Sequence, residues 1–305
     1  MQSRLLPFTV AGIICFAVAF FLGAAFWYFF GTNPRRFGDN SKTIVQVSNQ
    51  NSNVSPLNSP NSPNSANSVE ATPTPAATPE PKKAPAGEVF VKGGEVTLGG
   101  GETKLPLRRV AVPDFSIGET EVSNEGYAAF VSGAGYKAPA HWKEGKFAPG
   151  TGREPVVNVS WTDASAYCEW LSKELGATVR LPSEAEWVLA ARGNSENPYP
   201  WGAEWKDEAA ASSETNGKIL PVKSFPAGRS PSGAFEMIGN VWEWTSDAAE
   251  DEFGKPVLFG KSKQRIIKGG SAKEERKYLT VSTRVARPEE RGSDTLGFRY
   301  VIIRK

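Results

Sequence analysis

The stretch GAFEMIGNVWEWTSD, Gly233 to Asp247, holds the densest run of residues able to do chemistry. Trp242 and Trp244 flank Glu243, and Gly239 and Asn240 come just before them. A carboxylate beside a turn rich in free carbonyls is what a hard cation such as calcium needs, because such ions take oxygen ligands. The same residues also read as packing, with the indoles in a core and Glu243 accepting from their neighbours. A second stretch, IIKGGSAKEERKYL from Ile266 to Leu279, runs from two apolar residues through a Gly-Gly turn into charge. Its Glu274 and Glu275 are either a solvated loop tip or stand where an acid or base would be placed.

Other chemistries lack their residues. His141 is the single histidine of the chain, so a His-rich metal site is excluded. No glycine-rich phosphate loop occurs, and KGG or GGG alone does not make one. The 35 Lys and Arg balance 33 Asp and Glu, which leaves no strong field to hold a polyanion, and nucleic acid is not expected as a partner. Cys15 and Cys168 are the only cysteines, and they are too far apart in kind and position to build a disulfide framework.

These groups need a scaffold. Ser123 caps a helix that buries Tyr127, Phe130 and Val131 and is expected to end at Gly133. Ser160 and Asp163 stand in capping-box spacing before Ala164, Tyr167, Cys168, Leu171 and Leu175, a helical stripe that stops at Gly176. Cys168 lies on that stripe and reads as a small core residue. Ser183 and Glu186 repeat the box, with Trp187, Ala190 and Ala191 facing inward before Gly193. Strands are expected within EVFVKGGEVTLGG, RRVAVPDFSIGETEVS and LGFRYVIIR. With glycine and proline scattered throughout, residues 88–305 form one loop-rich α+β domain.

Leu5 to Phe30 carries no charge and is long enough to cross about 30 Å of hydrocarbon. It is expected to be an uncleaved transmembrane anchor, with Trp27 and Tyr28 at one interface. Residues 31–87 are dominated by Asn, Ser, Pro, Thr and Ala, with no aromatic residue between Phe37 and Phe90, and read as a disordered tether. The flanking charges, Arg4 on one side and Arg35 and Arg36 on the other, do not decide orientation.

VVNVSWTDASAYCEWLSKELGATVRLPSEAEWVLAARG, YPWG, GAFEMIGNVWEWTSD, IIKGGSA and DTLGFRYVI occur in this order. Together they resemble the formylglycine-generating enzymes, the sulfatase-modifying factors, over essentially all of 88–305. The resemblance implies that family's fold, a loop-rich relative of C-type lectin domains with little regular structure. It also implies export, so the domain is expected on the extracytoplasmic side of the cell membrane.

The resemblance further implies roles. Calcium would be held by the Glu236 and Glu243 side chains and the Gly239 and Val241 carbonyls, with Glu236 in place of the family's Asn or Asp. The family's second calcium segment falls on AAASSETNG without its expected Asn, so one calcium is expected. The two cysteines that hold copper(I) in the active enzymes fall on Glu274 and Leu279. A carboxylate and an isobutyl group are no substitute for soft thiolates, and no copper is expected. Trp242, Ser271 and Arg287 remain from the family's pocket, with Glu274 as the candidate catalytic group. The reading is a membrane-anchored ligand- or protein-binding module that is not a formylglycine generator. The alternative is an oxidase or other enzyme with cysteine-independent chemistry, using Glu274 or Glu275 as acid or base.

Overall fold

The computed structural model describes residues 87–99, 105–215, 217–251 and 254–304. The anchor expected over 5–30 and nearly all of the tether over 31–87 lie outside them. Among the described residues no helix is long and apolar enough to cross a membrane.

The three expected helices form. α1 (Asn124–Ala134) starts at Ser123, whose hydroxyl accepts from the Gly126 amide, and ends at Gly135 with φ 62°. It runs past Gly133, where a Cβ would press on the Trp170 indole at 3.2 Å from Nε1. That glycine permits close helix packing and does not stop the helix. α2 (Trp161–Leu175) and α3 (Glu184–Arg192) both carry complete capping boxes, Ser160 with Asp163 and Ser183 with Glu186. α3 differs from expectation in being buried at every position, its charged residues included. Glu186 is held by a bidentate pair with Arg180 at 2.7 Å, and Glu184 faces Arg284 at 3.0 Å and the buried Lys268 at 3.5 Å. Burial pushes the Lys268 ammonium down to about 8, with Glu184 opposing the shift.

Three sheets surround the helices. β1 (Glu88–Val91), β4 (Phe115–Gly118), β11 (Val301–Ile303) and β5 (Thr178–Arg180) pair antiparallel in the order β1-β4-β11-β5. β2 (Gly94–Leu98) pairs with β3 (Arg108–Val112) against α3. The largest sheet runs β10 (Leu296–Gly297), β6 (Trp242–Ala248), β8 (Ser262–Lys268) and β7 (Leu258–Phe259), with β9 (Arg284–Pro288) also on β8. The strands expected at the two ends of the domain are present. The β6-β8-β9 ladder through its middle carries no clean alternation, because β6 is buried on both faces from Trp242 to Thr245.

Two clusters make the core. One gathers Tyr127, Phe130, Tyr167, Trp244 and Phe298, with Tyr127 stacked on Tyr167 at 6.0 Å. The other surrounds α3 with Ile117, Trp187, Leu189, Met237 and Val301. β6 lies between them: Trp242 and Trp244 turn to the first and Glu243 to the opposite face, as strand alternation requires.

Candidate functional site

Two turns meet at the start of β6. The Gly239 amide donates to the Gly269 carbonyl at 3.0 Å, and the Ala272 amide donates to the Asn240 carbonyl at 2.9 Å. Gly239 and Gly270 both have positive φ, 80° and 76°. Each is also a point of contact: a Cβ at 239 would overlap the Ala211 carbonyl, and one at 270 would overlap Leu279 Cδ2. The EMIGN and KGGSA segments are therefore locked together by backbone, with glycine at the positive-φ positions.

Glu243 is fully buried and its carboxylate is fully used. Arg299, also fully buried, donates from Nε and Nη2 to its two oxygens at 2.7 Å each, and Trp187 Nε1 adds a third bond at 2.8 Å. The rest of the guanidinium reaches the carbonyls of Gly118, Phe235 and Glu236 at 3.3, 2.9 and 3.3 Å. Burial opposes the charge on Arg299, but Glu243 together with the nearby Glu121 and Glu236 outweighs it and raises the proton affinity of the guanidinium. Glu236 sits at φ 48° and accepts from the Lys223 and Phe225 amides at 3.0 and 3.2 Å. Glu121 completes the group: Asn240 Nδ2 donates to Oε1 at 3.1 Å, while buried Oε2 meets no donor among the described residues. Burial, then the neighbouring Glu236, pushes the Glu121 carboxyl well above its ordinary value.

The four positions expected to hold calcium thus lie in one turn, but the two side chains among them face N–H donors. A cation at Glu243 would meet a guanidinium, and this donor set does not fit it. Among the described residues no group of three His, Cys, Asp or Glu has metal-binding geometry. The sequence reading does not single out Arg299 or Glu121, and it takes Trp187 only as an inward-facing helix residue. The available signal was an arginine between Phe298 and Tyr300 in an apolar run, a charge that has to find a partner in the core.

The second turn carries the remaining site residues. Ser271 is buried, and its hydroxyl accepts from the Lys273 amide at 3.3 Å. Glu274 is half-buried, and Trp242 Nε1 donates to its carboxylate at 3.2 Å. Its backbone is held on both sides, the amide on the Ser271 carbonyl at 3.0 Å and the carbonyl by the Ser213 amide at 2.9 Å. Leu279 is fully buried in the cluster around α3. Trp242, Ser271 and Glu274 therefore come together, whereas Glu275 is exposed and paired with Lys277 at 2.9 Å. Arg287 is not part of this group. It is exposed on β9 opposite Arg265, three residues along from the row that joins Glu243, Lys268 and Arg284, or roughly 10 Å at strand rise. Cys168 lies buried on α2, and burial pushes its thiol up.

Residues 73–304 match the model of the sulfatase-modifying factor enzyme 1-like domain. A formylglycine-generating enzyme of Streptomyces coelicolor is 32% identical, over 75% of this chain and 95% of its own length. A Bos taurus protein named inactive C-alpha-formylglycine-generating enzyme 2 is 29% identical, over 69% of this chain and 86% of its own. Among solved structures, PvdO from Pseudomonas aeruginosa superposes with a TM-score of 0.57 at 26% identity, covering 70% of this chain and 93% of that one.

Proposed function

Because this chain belongs to the sulfatase-modifying factor enzyme 1-like domain family, we propose that it is a membrane-anchored binding module built on that frame and not a generator of formylglycine. The observation that carries the reading is the Glu274 carboxylate taking the indole N–H of Trp242 at 3.2 Å. By the resemblance, Glu274 stands at one of the family's two copper-holding cysteines and Leu279 at the other. A carboxylate satisfied by an indole and a leucine sealed in the core supply no soft ligand for copper(I). Cys168, buried on α2 with its thiol pushed up by burial, is no source of thiolate either. That a relative is named an inactive formylglycine-generating enzyme supports the idea that this frame persists without the reaction. The uncharged run from Leu5 to Phe30 serves as the anchor, and the domain is displayed on the extracytoplasmic side.

The test combines metal and product. The full-length protein is mixed with copper(I) against a competing chelator, then with a peptide bearing the Cys-x-Pro-x-Arg motif, reductant and oxygen, and the peptide is read by mass spectrometry. The expected result is no retained copper and no aldehyde above a protein-free control. Aldehyde appearing at a rate that scales with protein concentration overturns the reading.

A further inference from the structure

The β7-β8 hairpin gathers three consecutive exposed large apolar residues among the described residues, and neither the fold nor the site uses them. Leu258 pairs with Lys263 and Phe259 with Ser262 across a two-residue turn of Gly260, at φ 63°, and Lys261. Successive strand residues point to opposite faces. Yet Leu258 is 56% and Phe259 62% exposed, so both faces of the tip meet water, with Val257 beside them at 37%. A three-residue apolar tip facing water in two directions stabilises nothing in the folded chain.

The charges carried by the ribbon itself have one sign. From Gly254 to Arg265 the chain reads GKPVLFGKSKQR, with Lys255, Lys261, Lys263 and Arg265 and no acid. Lys255, Lys261 and Lys263 are all exposed. Arg291 on a neighbouring segment places its guanidinium 5.9 Å from the Phe259 ring centroid, adding a fourth exposed cation at the tip. The acids lie on the segments that flank the ribbon, Glu290 among them beside the tip. Glu289 is taken by Arg265 at 2.9 Å, Asp251 accepts from the Lys255 backbone amide at 2.9 Å, and Glu250 bridges to Pro256. Glu290 adjoins Ser262 and Arg291.

We infer that the Val257-Leu258-Phe259 tip inserts into the surface of an anionic phospholipid bilayer, with Lys255, Lys261 and Lys263 against the headgroups. Apolar side chains enter the headgroup-acyl boundary while long cationic side chains reach back to phosphate, a division of labour this ribbon already has built in. Each cation near an anionic surface contributes roughly a fivefold gain in partitioning, so the lysines favour anionic over neutral lipid. The alternative occupant, the edge of a second copy of this chain, gains nothing from the lysines, which would face one another.

The experiment uses the full chain reconstituted in vesicles, with an environment-sensitive fluorophore on Leu258→Cys in a Cys15→Ser background. Vesicles are phosphatidylcholine alone or rich in phosphatidylglycerol, each with or without brominated acyl chains as quencher. Blue-shifted, bromine-quenched emission is expected in the anionic vesicles only, and Lys255→Glu/Lys261→Glu/Lys263→Glu should return it to the aqueous value. An aqueous signal in both vesicle types overturns the inference, as does an equal shift in both. A blue shift in detergent that grows with protein concentration overturns it in favour of a second copy. The inference goes beyond the anchoring reading and fails separately from it, because retention on vesicles reports the anchor while the fluorophore reports the hairpin.

Discussion

Glu243→Gln tests the organisation of the core most directly. The substitution keeps shape and removes one charge from a pair in which both partners are fully buried. Its carboxylate receives three hydrogen bonds of 2.7 to 2.8 Å. The glutamine oxygen can take only part of that set, and its NH2 is turned toward the Arg299 donors or the Trp187 N–H. Arg299 is then left charged in the core with a neutral amide in place of its carboxylate, beside the carbonyls of Gly118, Phe235 and Glu236. Removing one partner of a buried pair costs about 3–5 kcal/mol, because the other charge stays desolvated and uncompensated. At about 2–4 °C per kcal/mol for a domain of this size, the melting temperature should fall by roughly 6–20 °C. Replacing both partners, Glu243→Gln with Arg299→Met, should cost less than the sum of the single changes. The measurement is a denaturant and thermal unfolding series on the four proteins of the cycle, in millimolar calcium and in chelator. A loss below about 1 kcal/mol would refute the reasoning. So would a calcium-dependent rise in the wild-type melting temperature that Glu243→Gln abolishes, since a ligand bound to the folded state alone stabilises it and the carboxylate would then be serving a cation.

Glu121→Gln tests the neighbouring carboxyl. Its folded-state proton affinity is raised by burial and by Glu236, so the folded state holds more protons than the unfolded one and wild-type stability should fall as pH rises above about 4.5, by at most about 1.4 kcal/mol per pH unit. The glutamine variant should lack that slope, being more stable than wild type near neutrality and level with it in acid; equal pH profiles would remove Glu121 as a buried titrating group. Membrane topology is tested by protease added to intact spheroplasts, which should release a fragment near the size of residues 88–305. Protection of the domain until lysis would place it on the other side.

The helices and their starts were legible in the chain because a capping box is a local device. Ser160 with Asp163, and Ser183 with Glu186, satisfy amides within three residues of themselves, and no distant residue is needed to complete them. The family was legible for a related reason: NVWEW, KGGSA and LGFRY meet in a frame whose glycines cannot be exchanged, as the contacts at Gly239 and Gly270 show. What the chain alone did not disclose depends on partners brought from afar. Gly133 had the composition of a helix stop, but the Trp170 indole packed over it makes it a close-approach residue and the helix continues. From residue types Glu243 reads first as a core acceptor, and the calcium role comes from the family resemblance. In the folded domain its carboxylate faces Arg299, 56 residues away in the chain, a partner that no local spacing announces. Arg287 was carried to the pocket by resemblance and lies instead at the other end of the β8-β9 ladder, since strand register sets which residues share a row. Local hydrogen bonds are written in short spacing; the pairing of buried charges is decided only when the chain closes on itself and brings distant partners together.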